Sequence, residues 1–114
     1  SMPVERAPSS GPGMGYSVRL ADEASRDLDG IVAYLCEVLA APAAATELLD
    51  AYDAFVDVVE EYPEAYEKCA DSHLAQLGYR KASLKGYIAL YRTEKNEVVV
   101  SRVFHQSQDY ARLV

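Results

Sequence analysis

The residues best suited to chemistry lie near the C-terminal end of this 114-residue chain. His105 is the first of them, because histidine is the side chain whose ordinary pKa lies closest to neutrality. Tyr110 can donate a proton or stack on an aromatic base. Arg80, Lys81 and Arg92 can hold an anionic group such as a phosphate or a carboxylate. Together these residue types fit proton transfer on an anionic partner, or simple binding of it.

Each of these residues also has a purely structural interpretation. His105 can be a strand-end histidine that bonds locally, and Tyr110 can be a packing residue. Arg102, between Ser101 and Val103 in the middle of a predicted strand, can form an internal ion pair. Asp109 fits the orientation of an arginine or the capping of a tail better than it fits a general base. Further candidates for contact with a partner are Lys81, Lys85, Tyr87, Arg92, Gln108 and Asp109.

Three short strands must position these side chains. Tyr79–Ser83, Tyr87–Arg92 and Glu97–Phe104 read as consecutive strands, because β-branched and aromatic residues dominate the last two. Gly86 can take a positive φ in the first turn without a Cβ clash. Asn96 is the expected left-handed residue of the second turn. The pattern predicts a three-stranded antiparallel meander.

A strand and two amphipathic helices precede the meander. Tyr16–Leu20 alternates as a strand does, and a first helix runs from Asp22, its expected N-cap, to about Ala40. Pro42–Tyr62 forms the second helix, and the short connection makes the pair an antiparallel hairpin. Gly30 costs about 1 kcal/mol relative to alanine inside a helix, and close approach to another element would explain it. The apolar stripes of both helices predict that the hairpin covers one face of the sheet.

The remaining segments frame a single domain. Residues 1–15 are rich in Pro, Gly and Ser and are expected to be a flexible tail, which leaves residues 16–114 as the domain. Residues 63–77 are expected to form a loop with one helical turn near Ser72–Gln76. With half of the residues apolar, the chain has the composition of a globular protein.

Charge and cysteine content limit the classes of function. Residues 1–70 carry four basic and 14 acidic side chains, whereas residues 71–114 carry seven basic and four acidic ones. The acidic half disfavours general nucleic-acid binding, which needs a dominant basic surface. Cys36 and Cys69 are far apart, so we expect reduced thiols in a cytoplasmic protein, without a metal or cofactor. No apolar run is long enough to predict a membrane span.

Four segments, in this order, carry a resemblance to a known family. They are YSVRL at 16–20 with Ala24 and Asp27-Leu28; PAA at 42–44; Tyr62-Pro63 followed by GYRK at 78–81; and GYIALYR at 86–92 followed by residues 98–103, His105 and Asp109-Tyr110. Over residues 16–110 this arrangement resembles the RelE/ParE superfamily of type II toxins. The resemblance implies an α+β fold with two layers. The N-terminal strand and the meander form the sheet, and the helical hairpin packs on one face of it. The first strand is expected to lie parallel beside the last.

The resemblance also implies a partner and two alternative activities. A cognate antitoxin neutralises such toxins, usually by wrapping them with an extended or helical segment, so a toxin–antitoxin hetero-oligomer is expected. RelE-like members cut messenger RNA on the ribosome, whereas ParE-like members poison DNA gyrase and are not known as nucleases.

Two departures from the nucleolytic pattern favour the gyrase-binding mode. Ile88 occupies a position that is often arginine in nucleolytic members, and Gln108 replaces the arginine of their His-x-x-Arg-Asp motif. Loss of cations that stabilise charge on phosphate is expected to raise the barrier to RNA cleavage by several kcal/mol. The alternatives are a ribosome-dependent endoribonuclease and a non-toxic relative that acts as a binding module. If the chain is a nuclease, its catalytic candidates are His105, Arg80, Arg102 and Tyr110.

The face of the sheet opposite the helices is expected to bind the partner. We expect it to present Arg80, Arg92 and Arg102 to solvent. Tyr87 and Tyr91 share one face of a strand, and they would add an amphipathic binding surface if that face is the open one. If it is the core face, the tyrosines form no such surface.

Overall fold

The predicted strands and helices form two layers, a helical hairpin packed on a sheet. The computed structural model describes residues 15–108, so the predicted tail up to residue 14 and the predictions for Asp109 and Tyr110 lie outside it. The elements are β1 (Ser17–Leu20), α1 (Asp22–Ala33), α2 (Pro42–Glu61), α3 (Ser72–Gln76), β2 (Arg80–Leu84), β3 (Tyr87–Glu94) and β4 (Glu97–His105). The predicted order of elements is confirmed, including the single turn of helix at Ser72–Gln76. None of the helices in the described range combines the length and apolar character that a membrane crossing requires.

The four strands form one mixed sheet in the order β1-β4-β3-β2. β2, β3 and β4 are antiparallel neighbours, and β1 runs parallel to β4, as predicted. β1 pairs only with Glu97–Val100, so the second half of β4 extends beyond it. The pairing of β3 with β4 shifts at this point, because Leu90 lies opposite Arg102 whereas Tyr91 lies opposite Val100. A β-bulge therefore redirects the side chains of β4 where β1 ends.

The two hairpin turns rely on left-handed backbone. In the first turn Lys85 and Gly86 have φ values of 55° and 89°. In the second turn the left-handed residue is Lys95, with φ 58°, so the prediction of Asn96 was wrong. A left-handed conformation is sterically unfavourable for a residue with a Cβ atom. The strand pairing on both sides of a two-residue turn holds Lys95 in it.

The main core lies between the sheet and the helical hairpin. Its largest fully buried side chains include Tyr91, Phe55 and Leu48, and Tyr87 packs against its edge. The Tyr91 hydroxyl donates a 2.8 Å hydrogen bond to the carbonyl oxygen of Pro63. The face of β3 that carries its tyrosines is thus the core face, so Tyr87 and Tyr91 do not together form the open surface that the sequence allowed.

A second, smaller core covers part of the opposite face of the sheet. Leu74 of α3 is fully buried there against Leu90 and Phe104, and Cys69 completes the cluster. Asp71 caps α3 by accepting a 3.0 Å hydrogen bond from the Leu74 N–H. The expectation that the whole of this face is free for a partner was therefore wrong, since the chain covers part of it with its own short helix.

The first helix differs from its prediction at both ends. Its N-cap is Ala21 rather than Asp22, and no side chain caps it. The α-helix ends at Ala33 and continues as a π-helical turn over Tyr34–Val38, after which Ala40 adopts a left-handed φ of 48°. A methyl group added at Gly30 would meet no atom within 4 Å, so close approach to another element does not explain this glycine.

Candidate functional site

His105 lies at the end of β4 and is held by its own loop. Its Nδ1 accepts a 3.2 Å hydrogen bond from the Ser107 N–H and lies 2.8 Å from the Ser107 hydroxyl. Because a backbone N–H can only donate, this geometry fits the neutral tautomer in which Nδ1 is the acceptor and Nε2 carries the ring proton. The imidazole meets the Tyr87 ring edge-on, with a centroid distance of 5.3 Å. His105 is exposed, and its local bonding agrees with the structural interpretation.

An open cleft of about 720 Å³ lies between α1 and the ends of β3 and β4. We call it the α1–β4 cleft. One wall comes from α1 and the turn that follows it, and the other comes from the sheet and the His105 loop. Its polar residues are Arg26, Asp27, His105 and Gln108, and its apolar ones include Ile31, Tyr34, Leu39, Tyr87 and Phe104. Of the predicted catalytic candidates that lie within residues 15–108, His105 is the one that lines this cleft.

Asp27 joins the two walls of this cleft. Its carboxylate accepts hydrogen bonds from Arg102 Nε at 2.7 Å and from Arg102 Nη2 at 3.1 Å. It also accepts a 3.0 Å bond from the Val103 N–H, which lies on β4 beyond the last residue paired with β1. The hydrogen bond from Arg102 to Asp27 raises the pKa of the guanidinium. Arg102 therefore fastens α1 to the sheet, as the ion-pair interpretation proposed.

The other predicted cations are not in the cleft. Arg80 donates from Nη1 to the carbonyl oxygen of Tyr66 at 2.7 Å, and the Tyr66 side chain packs against the main core. Arg92 pairs with Glu94 at 3.0 Å and lies 5.1 Å over the Tyr79 ring. The three arginines that were expected to share one open face thus contact three different parts of the fold.

The remaining contact candidates lie at several places on the surface. Lys81 lies 3.9 Å from Glu67, and Lys85 is exposed in the first hairpin turn. Gln108 accepts a 3.1 Å hydrogen bond from the His105 N–H through its Oε1, so it closes the loop after β4. Asp109 and Tyr110 follow directly but lie outside the described residues.

Neither the cysteines nor an acidic cluster offers a further chemical centre. Cys36 is exposed and Cys69 is buried, and both are free thiols. Burial raises the pKa of Cys69, which disfavours the nucleophilic thiolate. Within residues 15–108, no three His, Cys, Asp or Glu side chains come together as metal ligands would.

Arg26 and Asp27 are the cleft residues that the sequence reasoning missed as site residues. A signal for Asp27 existed, because it lies three residues after Ala24 and four before Ile31, within the apolar stripe of α1. A charged residue on the core side of a helix needs a partner, and its burial here predicts one. Arg26 had no comparable signal, since its neighbours in the sequence read as an ordinary solvated face.

Comparison with known proteins identifies the architecture. A family described as the ParE toxin of the type II toxin–antitoxin system, parDE, matches residues 18–110. None of the curated proteins matches the chain.

Two solved structures are similar to the fold. A chain of the chromosomal ParDE toxin–antitoxin system of P. aeruginosa superposes with a TM-score of 0.63 at 19% identity, covering 79% of this chain and 95% of that one. A chain of the RelBE2 toxin–antitoxin complex of Mycobacterium tuberculosis superposes with a TM-score of 0.53 at 25% identity, covering 85% of this chain and 98% of that one. The structural likeness thus reaches both branches of the superfamily, whereas the family match is to one of them. Because that match spans β1, the helical hairpin and the meander, the chain belongs to the ParE toxin family of type II toxin–antitoxin systems.

Proposed function

We propose that the chain inhibits bacterial growth by binding DNA gyrase, and that a cognate antitoxin neutralises it by binding to it. The family match supports the toxin assignment, and both similar structures come from toxin–antitoxin systems. The choice of gyrase over messenger RNA depends on the geometry of the predicted catalytic residues.

One observation carries this choice. RNA cleavage needs cations beside the proton-transfer group, so that charge developing on phosphate is stabilised. Arg102 instead neutralises Asp27 at 2.7 Å, and Arg80 is directed to the Tyr66 carbonyl. Neither arginine lines the α1–β4 cleft in which His105 lies. The two arginines that were predicted to act with His105 are thus engaged elsewhere, and this favours binding over phosphodiester cleavage.

Ribosome-dependent RNA cleavage remains the second candidate. The position of His105 favours it, because the ring is exposed and lines the cleft, where an imidazole can exchange protons and Arg26 supplies a cation. The similarity to the RelBE2 complex also supports keeping this alternative.

Induced expression without an antitoxin separates the two candidates. We expect growth arrest with induction of the DNA-damage response, inhibition of purified gyrase in a supercoiling assay, and intact messenger RNA. The variant His105→Ala should retain this toxicity. Cleaved messages together with loss of toxicity in His105→Ala would support the nuclease instead. Unimpaired growth with soluble, folded protein would remove both candidates in favour of a non-toxic binding module.

A further inference from the structure

The α1–β4 cleft has a chemical bias that the ParE assignment does not explain. Within residues 15–108 the Arg26 guanidinium has no hydrogen-bond acceptor or carboxylate partner, although it lines the cleft. His105 presents a protonated Nε2, and Gln108 has its amide oxygen engaged, which leaves its NH₂ group as a donor. The cleft therefore offers several polar donors.

The carboxylate among the described lining residues is already used. Both oxygens of Asp27 accept hydrogen bonds from Arg102 or from the Val103 N–H. Because Arg102 offsets the charge of Asp27, Arg26 is the remaining charged side chain among the described residues that line the cleft. A ligand that fits must therefore bring an acceptor, and a carboxylate satisfies both the donors and the charge.

The walls of the cleft require an apolar group beside that carboxylate. Tyr34 and Leu39 stand at its rim with 49% and 52% of their surface exposed, and Val38 beside them is 65% exposed. Exposed apolar side chains in a contiguous group mark interaction sites more often than bare surface does. Gly30 also lines the cleft, and the absence of a side chain there leaves room for an occupant.

We propose that the α1–β4 cleft binds a short antitoxin segment that carries an aliphatic or aromatic side chain next to a carboxylate. The apolar side chain lies between Tyr34 and Tyr87, and the carboxylate pairs with Arg26. This assignment rests on the proposed toxin–antitoxin function and adds to it the surface and the chemistry of recognition. A nucleic acid is the less favoured occupant, because Asp22, Glu23 and Asp29 on the same helix are exposed and would repel a polyanion.

Two substitutions test the cleft, each with a matched control. Gly30→Gln fills the cleft, and Ala54→Gln enlarges an exposed position of α2 outside it. Arg26→Gln removes the cation, and Arg19→Gln removes an exposed arginine of β1 that pairs with Glu97. Circular dichroism and urea unfolding show that each variant is folded before binding is measured.

The probes are the purified antitoxin and overlapping fluorescein-labelled peptides that cover its sequence, measured by fluorescence anisotropy. We expect Gly30→Gln and Arg26→Gln to weaken binding of the antitoxin at least tenfold, and both controls to stay within twofold of the original chain. One peptide should show the same losses. Replacing its carboxylate by an amide should weaken binding to the original chain but change nothing for Arg26→Gln.

The outcomes distinguish this proposal from the function on which it rests. If the original chain binds no antitoxin, both are refuted. If it binds and the cleft variants bind equally well, only the cleft assignment is refuted. Tighter binding by a chain that ends at Gln108 would identify residues 109–114 as the occupant and overturn the proposal. The proposal would also be overturned if the original chain bound a labelled single-stranded oligonucleotide and Arg26→Gln did not.

Discussion

Replacement of Asp27 by alanine is predicted to destabilise the fold strongly, although Asp27 is one of 18 acidic residues in the chain. The substitution removes three hydrogen bonds at once, two from Arg102 and one from the Val103 N–H. It leaves a guanidinium and a backbone donor of β4 without their carboxylate. Asp29, two residues along the same helix, is exposed and provides the matched control.

The magnitude follows from burial. Removing one member of a buried ion pair costs about 3–5 kcal/mol, mostly because the other charge is left without compensation. Arg102 and Asp27 keep 22% and 18% of their side-chain surface exposed, so water recovers part of that loss. We expect Asp27→Ala to lower the free energy of unfolding by about 2–4 kcal/mol. Asp27→Asn retains an oxygen for the Val103 N–H and should cost about half as much, while Asp29→Ala should change it by less than about 0.5 kcal/mol.

Urea unfolding followed by circular dichroism measures these differences. The double variant Asp27→Ala with Arg102→Met leaves no uncompensated charge. Its loss in free energy of unfolding should therefore be smaller than the sum of the two single losses by at least about 1 kcal/mol. Strict additivity, or an Asp27→Ala variant as stable as Asp29→Ala, would refute the conclusion that this ion pair fastens α1 to β4.

Three further predictions concern other parts of the fold. Gly30→Ala should raise the free energy of unfolding by up to about 1 kcal/mol in urea, because the new methyl group meets open space; a loss of stability would contradict this. Leu74→Ala should cost about 2–5 kcal/mol in the same assay, since Leu74 is fully buried between α3 and the sheet; a neutral result would show that α3 does not cover that face in solution. Burial raises the pKa of Tyr91 and of Tyr52 to about 12, with Asp53 adding to the effect at Tyr52. The folded state favours the neutral form of each tyrosine. The stability that this provides is therefore complete below about pH 10, the ordinary tyrosine pKa, and is lost as the pH rises towards 12. Tyrosinate absorbance of the folded chain should show a late-titrating fraction that shrinks in Tyr91→Phe, and a single transition near pH 10 would contradict the burial of both rings.

Local patterns were sufficient to predict the elements and their order. The spacing of apolar residues identified the two helices, and Pro42 located the boundary between them, where a proline is tolerated in a first turn. The β-branched and aromatic runs gave three strands within two residues of their observed ends. The parallel placement of β1 beside β4 came from the family resemblance, since composition alone does not distinguish the two edges of a sheet.

Apart from the turn residue Lys95 and the N-cap Ala21, the main errors concern contacts between segments distant in the sequence. Whether α3 packs on the free face of the sheet depends on how Leu74 meets Leu90 and Phe104, which no local pattern encodes. The π-helical turn at Tyr34–Val38 was likewise not predicted, since helix propensity does not distinguish a π-helical turn from an α-helical one. Arg102 was expected either to face solvent or to have an internal partner. It has an internal partner, Asp27, which is 75 residues away in the sequence.

The Asp27–Arg102 ion pair links the stability of this fold to the shape of its cleft. Asp27 belongs to one wall, whereas Val103 and the strand that continues to His105 belong to the other, so their hydrogen bond fixes the separation of the walls. A pre-formed site costs less ordering entropy on binding than one that must close around its ligand. The ion pair therefore contributes to partner affinity without touching the partner. For this reason Asp27→Asn, which keeps an acceptor for Val103 but loses the charge, should weaken antitoxin binding less than Arg26→Gln does.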